Sequence, residues 1–412
     1  MKRHTIIWFA AVMAVFGLLA SSCGDDDDAA DGTSAVTEAA PEPAEEAPTA
    51  AEEEEMAEEE PMAEEEPMAE EEPMAEEEPM AEEEPAPEAD PMDYNGDGVV
   101  RIGVAVPGDA NDGAYYQASV DGAREFAAAN NYPEPLYIDK IDQAEAATEL
   151  RNLADQGLDI IVIAAGEISE PLPDLTEEYP EIFWYCRCED TFPDLPGLAQ
   201  SSDNSAAIEY IAGFAAGLLL ADRGGDSVYM LGAHGAGFEV ETELSFRMGL
   251  KAVDEAYDIH YVPTGAHPFD FDNVAGASEA FHNAVAAGAD AIYPYLGGAH
   301  NPVIALANEE GLITMSAGAS DVCTREGDLQ WDLAIKFDGG DYIRAVFPLI
   351  QQGRLQEGER FIFTVEPGSV AGAEICDPTP EQAERMEAEI EKVGTGVFED
   401  QFNEIRAIAY GG

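Results

Sequence analysis

Positive charge is what this 412-residue sequence has least of: 18 Lys and Arg stand against 87 Asp and Glu, a formal charge of −69. Beyond the first few residues the only lysines are Lys140, Lys251, Lys336 and Lys392, and from Gly24 to Gly98 there is no Lys or Arg at all. So little cationic surface excludes nucleic acid and anionic lipid headgroups as partners, because phosphate binding works through counterion release at a basic face. The acid excess fits a salt-rich habitat and a merely soluble surface equally well. The sequence contains neither GxSxG nor HExxH, and its six histidines show no close ligand spacing. No catalytic group, cofactor or metal is therefore expected, and the chain does not read as an enzyme.

The first residues speak to location. Lys2 and Arg3, an apolar run from Ile6 to Ala20, and then Ser21-Ser22-Cys23 follow the plan of a cleaved secretory signal over residues 1–22. Cys23, directly after small residues, resembles a lipoprotein lipidation site, with Ala20 where Leu is usual and Leu19 one place before it. The mature chain is expected to begin at lipidated Cys23 and to sit on the outer face of the cell membrane. Residues 23–98 read as a disordered acidic tether whose heart is the hexad Met-Ala-Glu-Glu-Glu-Pro, repeated from Met56 to Pro85. A Pro every six residues breaks any helix, the Glu runs repel one another, and too little apolar surface is present to offset chain entropy. At its end Asp93, Asn95, Asp97 and Gly98 imitate the start of a calcium loop, but the twelfth position is Val104 instead of Glu, and a polar turn is the alternative.

After Gly98, 55 acidic residues face 16 basic ones, a formal charge of −39, so the remainder is acidic in its own right. In an exported chain Cys186, Cys188, Cys323 and Cys376 are expected to form at least one disulfide. Cys186 and Cys188 are too close in sequence for a comfortable loop along one extended strand. Sequence does not choose among the three full pairings; Cys323 to Cys376 is the one favoured here. A CxC zinc site is the alternative, lacking a second ligand pair of metal spacing.

From Val99 onward, short β-branched runs alternate with amphipathic stretches for about 300 residues, the pattern of an α/β chain with parallel sheets. Strands are expected over Val99–Val106, Ile160–Ala164, Ile182–Tyr185, Ser227–Leu231, Ile259–Val262, Ala291–Tyr295 and Leu312–Met315. Helices are expected over Tyr115–Asn130, Gln143–Gln156, Asn204–Leu220, Glu239–Tyr257, Asn273–Ala287 and Pro302–Glu309. Seven or more strands exceed one comfortable core, which implies two lobes. In open α/β sheets ligands sit beyond the carboxyl ends of the strands. The glycine-rich and polar segments fall there: Gly108 to Gly113, Gly166 and Glu167, Gly232 to Phe238, Gly265 to Asp272, Gly297 to His300, and Gly318 to Asp321. Gly232, Gly235 and Gly237 imitate a dinucleotide loop, but the spacing is GxxGxG rather than GxGxxG.

The segment DGAYYQASVDG (Asp112 to Gly122) resembles the DKSFNQSAYEG-like segment of the basic membrane protein family, the purine nucleoside receptors of ABC transporters. LADQGLDIIVIAAG (Leu153 to Gly166), EEYPEIFWY (Glu177 to Tyr185), EYIAGFAAGLLLA (Glu209 to Ala221), SFRMGLKA (Ser245 to Ala252), AAGADAIYPYLGGA (Ala286 to Ala299) and AIKFDGGDYI (Ala334 to Ile343) are similar to family segments in the same order. The resemblance implies a two-lobe periplasmic-binding-protein type I fold with hinge crossings. One lobe would hold residues 99–222 with 337–356 and the other 223–336 with 357–412. It implies a monomeric receptor that presents a small, nucleoside-like solute to ABC permease subunits. A sugar or other polar-solute receptor, and a surface sensor or adhesin keeping the same fold, are the alternatives.

A nucleoside offers a flat π-surface and vicinal hydroxyls, so its receptor needs aromatic faces and carboxylate acceptors. By the resemblance, Tyr115 stands where the family has its stacking Phe, Asp112 at the family's Asp, Lys336 at a family Lys facing the cleft, and Asp321 at the second acid of a GVDSD-like loop. Gly297 and Gly298 would let the backbone approach the ligand. Phe238 is the choice for a second aromatic face, with Tyr295 as its rival. Three positions depart from the family: Tyr116 replaces an Asn, Ala319 replaces the first acid of the GVDSD-like loop, and Gly166-Glu167 replaces a stretch that is often aromatic. Read from the residues alone, Tyr115 could be a core aromatic and Asp112 a helix cap.

Overall fold

A computed structural model describes residues 89–411 except 190, 193–194, 234 and 266–269. The expected signal peptide, the expected lipidation at Cys23 and nearly all of the expected tether lie outside the described residues. The folded chain begins earlier than the boundary at 98 read from composition. Met92 is fully buried, Tyr94 packs on Phe183, and the Asp159 carboxylate accepts both the Asn95 and Arg101 backbone N–H groups. The calcium-like loop is closed on itself. Asp93 accepts the N–H groups of Asp97 and Gly98, and the Arg101 guanidinium sits on Asp97 (2.6 Å) and the Val99 carbonyl.

The first sheet is built from β1 (Ile102–Ala105), β2 (Leu136–Ile138), β3 (Ile160–Ile163), β4 (Phe183–Cys186) and β5 (Leu198–Asp203), with α1 (Tyr115–Asn130), α2 (Ala146–Ala154) and α3 (Leu172–Glu178) between them. Every residue of β1, β3 and β4 is buried, as expected of parallel strands covered on both faces. The chain then crosses into α4 (Ser205–Arg223) and the second sheet: β6 (Ser227–Gly232), β7 (Asp258–Pro263), β8 (Ala291–Pro294) and β9 (Ile313–Thr314), with α5 (Gly237–Val253), α6 (Val274–Ala287) and α7 (His300–Glu310). β10 (Leu333–Lys336) leads into α8 (Gly339–Gln351), which packs on α1, and β11 (Arg360–Phe363) follows. β12 (Gly372–Ile375), α9 (Pro380–Gly394) and α10 (Glu399–Tyr410) complete the chain.

The strand orders are β11-β5-β4-β3-β1-β2 and β7-β6-β8-β9, all parallel, while β10 and β12 form an antiparallel pair. A parallel bridge from Met315 to Leu333 joins that pair to the second sheet. In each large sheet the order reverses beside the first strand, at β1 and at β6, which is where doubly wound folds open a crevice.

Two lobe boundaries differ from the reading by resemblance. β11 lies in the segment 357–412 assigned to the second lobe, yet it hydrogen-bonds to β5 in register Phe363 with Asp203, so the crossing falls after it. α4 had been placed in the first lobe, within 99–222. It packs instead on α5, α9, β10 and β12, so the chain crosses at Asp203-Asn204. Length and composition would let α4 span a bilayer, but it is a core helix, buried without interruption from Ala206 to Leu220, and a helix apolar all round needs such cover.

Cys323 is joined to Cys376 with Cα atoms 4.7 Å apart. Cys186 is joined to Cys188, which corrects the reading that they lie too close to pair. The strand ends at Cys186, and the departing chain draws the Cα atoms to 5.2 Å, within ordinary disulfide reach.

Candidate functional site

The carboxyl ends of both sheets and the crossing segments surround a cavity of about 800 Å³, a usual size for a small-molecule site. The β1–α1 loop supplies Asp112 and the first turn of α1 supplies Tyr115 and Tyr116; the segments after β3 and β4 supply Gly166, Glu167, Arg187 and Glu189. The crossings supply Asp203, Asn204 and Phe337. From the second lobe come Ser205 and Glu209 of α4, Phe238 and Glu241 of α5, and Phe271, Tyr295 and Gly297, with Glu399, Arg406 and Tyr410 of α10 closing one side.

Asp112 fixes the start of α1. The residue before α1 is Ala114, which has no capping group, so Asp112 does the capping from two positions back. It accepts the N–H groups of Ala114 (2.8 Å), Tyr116 (3.2 Å) and Gln117 (3.1 Å). Burial nevertheless pushes its carboxyl up to about 6, against the pull of those three bonds.

Aromatic rings form the walls. Tyr295 and Phe337 stack with centroids 5.7 Å apart at 24°. Phe238 leans on Tyr295 at 5.9 Å, and Tyr115 approaches Phe337 at 6.5 Å. The Tyr115 hydroxyl donates to the Ala164 carbonyl (2.8 Å), which fixes its ring as a surface and uses up its donor. Phe337 touches the aromatic wall of both lobes because it sits in the crossing after β10.

The charges are arranged in depth. Arg187 is ion-paired with Asp203 and Glu189, and its guanidinium lies over Tyr342 (4.8 Å). Burial works against its charge, but the Asp203 carboxylate more than offsets this and holds the guanidinium firmly protonated. Asp203 also accepts the Tyr342 hydroxyl (2.6 Å). Arg406 donates to Asn204 Oδ1 (2.6 Å) and faces Glu241 and Glu399, tying α10 to the crossing where α4 starts. Glu209 is 2% exposed. Its Oε1 accepts the Tyr293 hydroxyl (2.9 Å). Its Oε2 has no hydrogen bond of good geometry, although the Thr242 hydroxyl is among the groups acting on it. Burial raises Glu209 to about 8, and burial likewise raises Glu167 and Glu241.

Of the residues proposed from sequence, Asp112, Tyr115, Tyr116, Gly166, Phe238 and Gly297 line the cavity together, as does Tyr295. Three do not. Lys336 points away from the cleft, into a separate hollow with Glu366, Met386 and Glu387, and approaches Glu374 (3.7 Å). Successive residues of a strand face opposite sides, so Phe337 takes the inward position instead. Gly298 donates its N–H to Asp272 (2.5 Å). Asp321 is exposed and bound to Arg325, whose guanidinium reaches the Gly113 carbonyl of the opposite lobe (2.9 Å).

Arg187, Asp203, Glu209, Phe271, Phe337 and Arg406 were not foreseen. A signal for Arg187 existed: it is a lone cation after the apolar run Phe183 to Cys186 in a cation-poor chain.

Two parallel α/β lobes with three crossings and a cleft at their carboxyl ends define a solute-binding protein of the periplasmic type. Residues 99–322 match the model of the Bmp family, described as PnrA-like ABC transporter substrate-binding proteins, and the chain belongs to that family. It is thus an extracytoplasmic substrate-binding receptor of an ABC transporter, from a family of transport proteins and not of enzymes. Among solved structures it is similar to an ABC transporter solute-binding protein from Conexibacter woesei, at 20% identity over 72% of this chain and 97% of that one, with a TM-score of 0.57. A solute-binding protein from Aeropyrum pernix is similar at 13% identity over 76% and 92%, with a TM-score of 0.56. A transcriptional activator of the comK gene from Bacillus halodurans is similar at 17% over 70% and 96%, with a TM-score of 0.53. At these identities the likeness concerns the fold alone. No curated protein sequence matches the chain.

Proposed function

We propose that this receptor, anchored through a lipid on Cys23, takes up a flat, ring-containing polar solute of the nucleoside type and delivers it to its permease. The observation that carries the reading is the aromatic wall of Tyr295, Phe337, Phe238 and Tyr115, beside carboxylates able to accept a ribose hydroxyl. The ring system would lie on that wall while the polar end faces Asp112 or the Arg187–Asp203 pair. Closure about the crossings would then exclude water and strengthen each polar contact, and the permease would read the closed shape. No bond is made or broken.

The test is a thermal-shift screen of the full chain, in low and in molar salt, against nucleosides, nucleobases, sugars and amino acids. Ligand at a hundred times its dissociation constant adds about 2.7 kcal/mol of stability, a visible shift. A selective response to nucleosides is expected; a response to sugars alone would replace the ligand class, and silence throughout would favour a sensor or adhesin. Phe337→Ala is expected to weaken binding by roughly 1–3 kcal/mol, the worth of one base–aromatic stack. Its neighbour Lys336→Ala should leave affinity unchanged. Titration calorimetry on the two variants checks the pair, and equal losses would mean that the binding surface is wrongly placed.

A further inference from the structure

The acid excess of the whole protein does not account for the acids of this cleft. Surface carboxylates keep their water, whereas Asp112 and Glu241 are 4% exposed and Glu209 is 2% exposed. Among the described residues seven carboxylates line the cavity against two guanidiniums, and Arg187 and Arg406 are already engaged, the first by Asp203 and Glu189 and the second by Glu241 and Glu399. Among the described residues the buried Oε2 of Glu209 has no hydrogen bond of good geometry, although the Thr242 hydroxyl acts on the carboxyl. A neutral solute that displaced water here would strip these acids of solvation and return no charge to them.

From this juxtaposition of an aromatic wall and a buried carboxyl with no cationic partner among the described residues, we infer that the preferred ligand is a planar organic cation. Its ring lies on Tyr295 and Phe337, and its positive charge is shared between those π-faces and Glu209. Aromatic faces attract cations through their negative quadrupole, most strongly where water is excluded. Glu209 projects from α4 at the same helical face as Ser205, which also lines the cavity. Burial holds the Glu209 carboxyl near 8 in the empty receptor, and a cation is the partner that would bring it back to the ionised form. The inference rests on the flat-solute reading above and adds the sign of the ligand's charge.

Two probe pairs test it on the full chain at pH 7. Adenosine and 1-methyladenosine differ by a methyl group and one positive charge, and nicotinamide and 1-methylnicotinamide differ in the same way without a ribose. The cationic member of at least one pair is expected to bind tenfold or more tightly than its neutral partner by titration calorimetry. Glu209→Gln, which keeps shape and removes the charge, should lower that ratio at least fivefold; Glu241→Gln provides a second reading should the first variant fold poorly. A preference confined to the nicotinamide pair would sustain the charge inference while overturning the nucleoside reading. Equal binding of the two members, a preference for the neutral one, or silence to all four would overturn the charge inference. In the first two cases adenosine binding would leave the nucleoside reading standing.

Discussion

Glu209 shows how much one carboxyl can weigh. Its folded-state value of about 8 lies above the 4.5 of an unperturbed Glu, so between those limits the native state holds a proton that the unfolded chain releases. Stability is therefore lost as pH rises from about 4.5 to 8, and no more is lost above that. Glu209→Gln keeps an acceptor for Tyr293 and abolishes the titration. It is expected to stabilise the empty protein by roughly 3 kcal/mol at pH 7 and to make little difference near pH 4.5. Melting curves of the two proteins across that range decide the matter, and parallel curves would mean that Glu209 is already ionised. The residue scale is also where the sequence reading fell short. The resemblance placed Lys336 in the cleft, yet Lys336 does not line the cavity, whereas Arg187, whose side chain is only 11% exposed, does. What was missing is the inward or outward phase of each strand, which local sequence does not carry where a strand ends at a hinge.

At the scale of elements, legibility followed apolar content. α1 was read with the bounds it has, Tyr115–Asn130, because its apolar residues recur at three and four and Asn131 closes it in the left-handed region. β2, β5, β10, β11 and β12 were not read. β2 and β11 are largely exposed, β5 carries the polar run Gln200 to Asp203, and β10 and β12 belong to crossing geometry that no local pattern announces. The contact of α4 on α5 is made close by glycines. A Cβ on Gly213 would overlap the Phe246 carbonyl oxygen, and one on Gly249 the Tyr210 carbonyl oxygen. Backbone lies on both sides, so neither neighbour can swing away as a side chain would. Gly213→Ala and Gly249→Ala are each expected to cost about 1–3 kcal/mol through overpacking. Their sum should exceed the cost of the double variant, because the first substitution already parts the helices. Urea unfolding midpoints measure this, and an unchanged midpoint in both single variants would show that the helices do not approach as described.

The whole molecule is governed by its charge. Most described Arg and Lys are committed to an ion pair, from Arg101 with Asp97 to Arg406 with Glu241, and most of these pairs are exposed and worth little individually. With 55 acids to 16 bases after Gly98, the cations are used up long before the carboxylates, and the remaining acids only repel one another. Added salt therefore acts in two directions. It weakens a limited set of attractions and also a larger set of repulsions, and the second must win. The melting temperature of the full chain is expected to rise on the order of 5 °C between 0.05 and 1 M NaCl. Most of that rise should come below about 0.5 M, where the screening length contracts fastest. Salting-out of apolar surface would instead grow steadily at high concentration. A flat or falling curve would mean that the few ion pairs outweigh the repulsion, and that the acid excess is neutralised locally in the folded state.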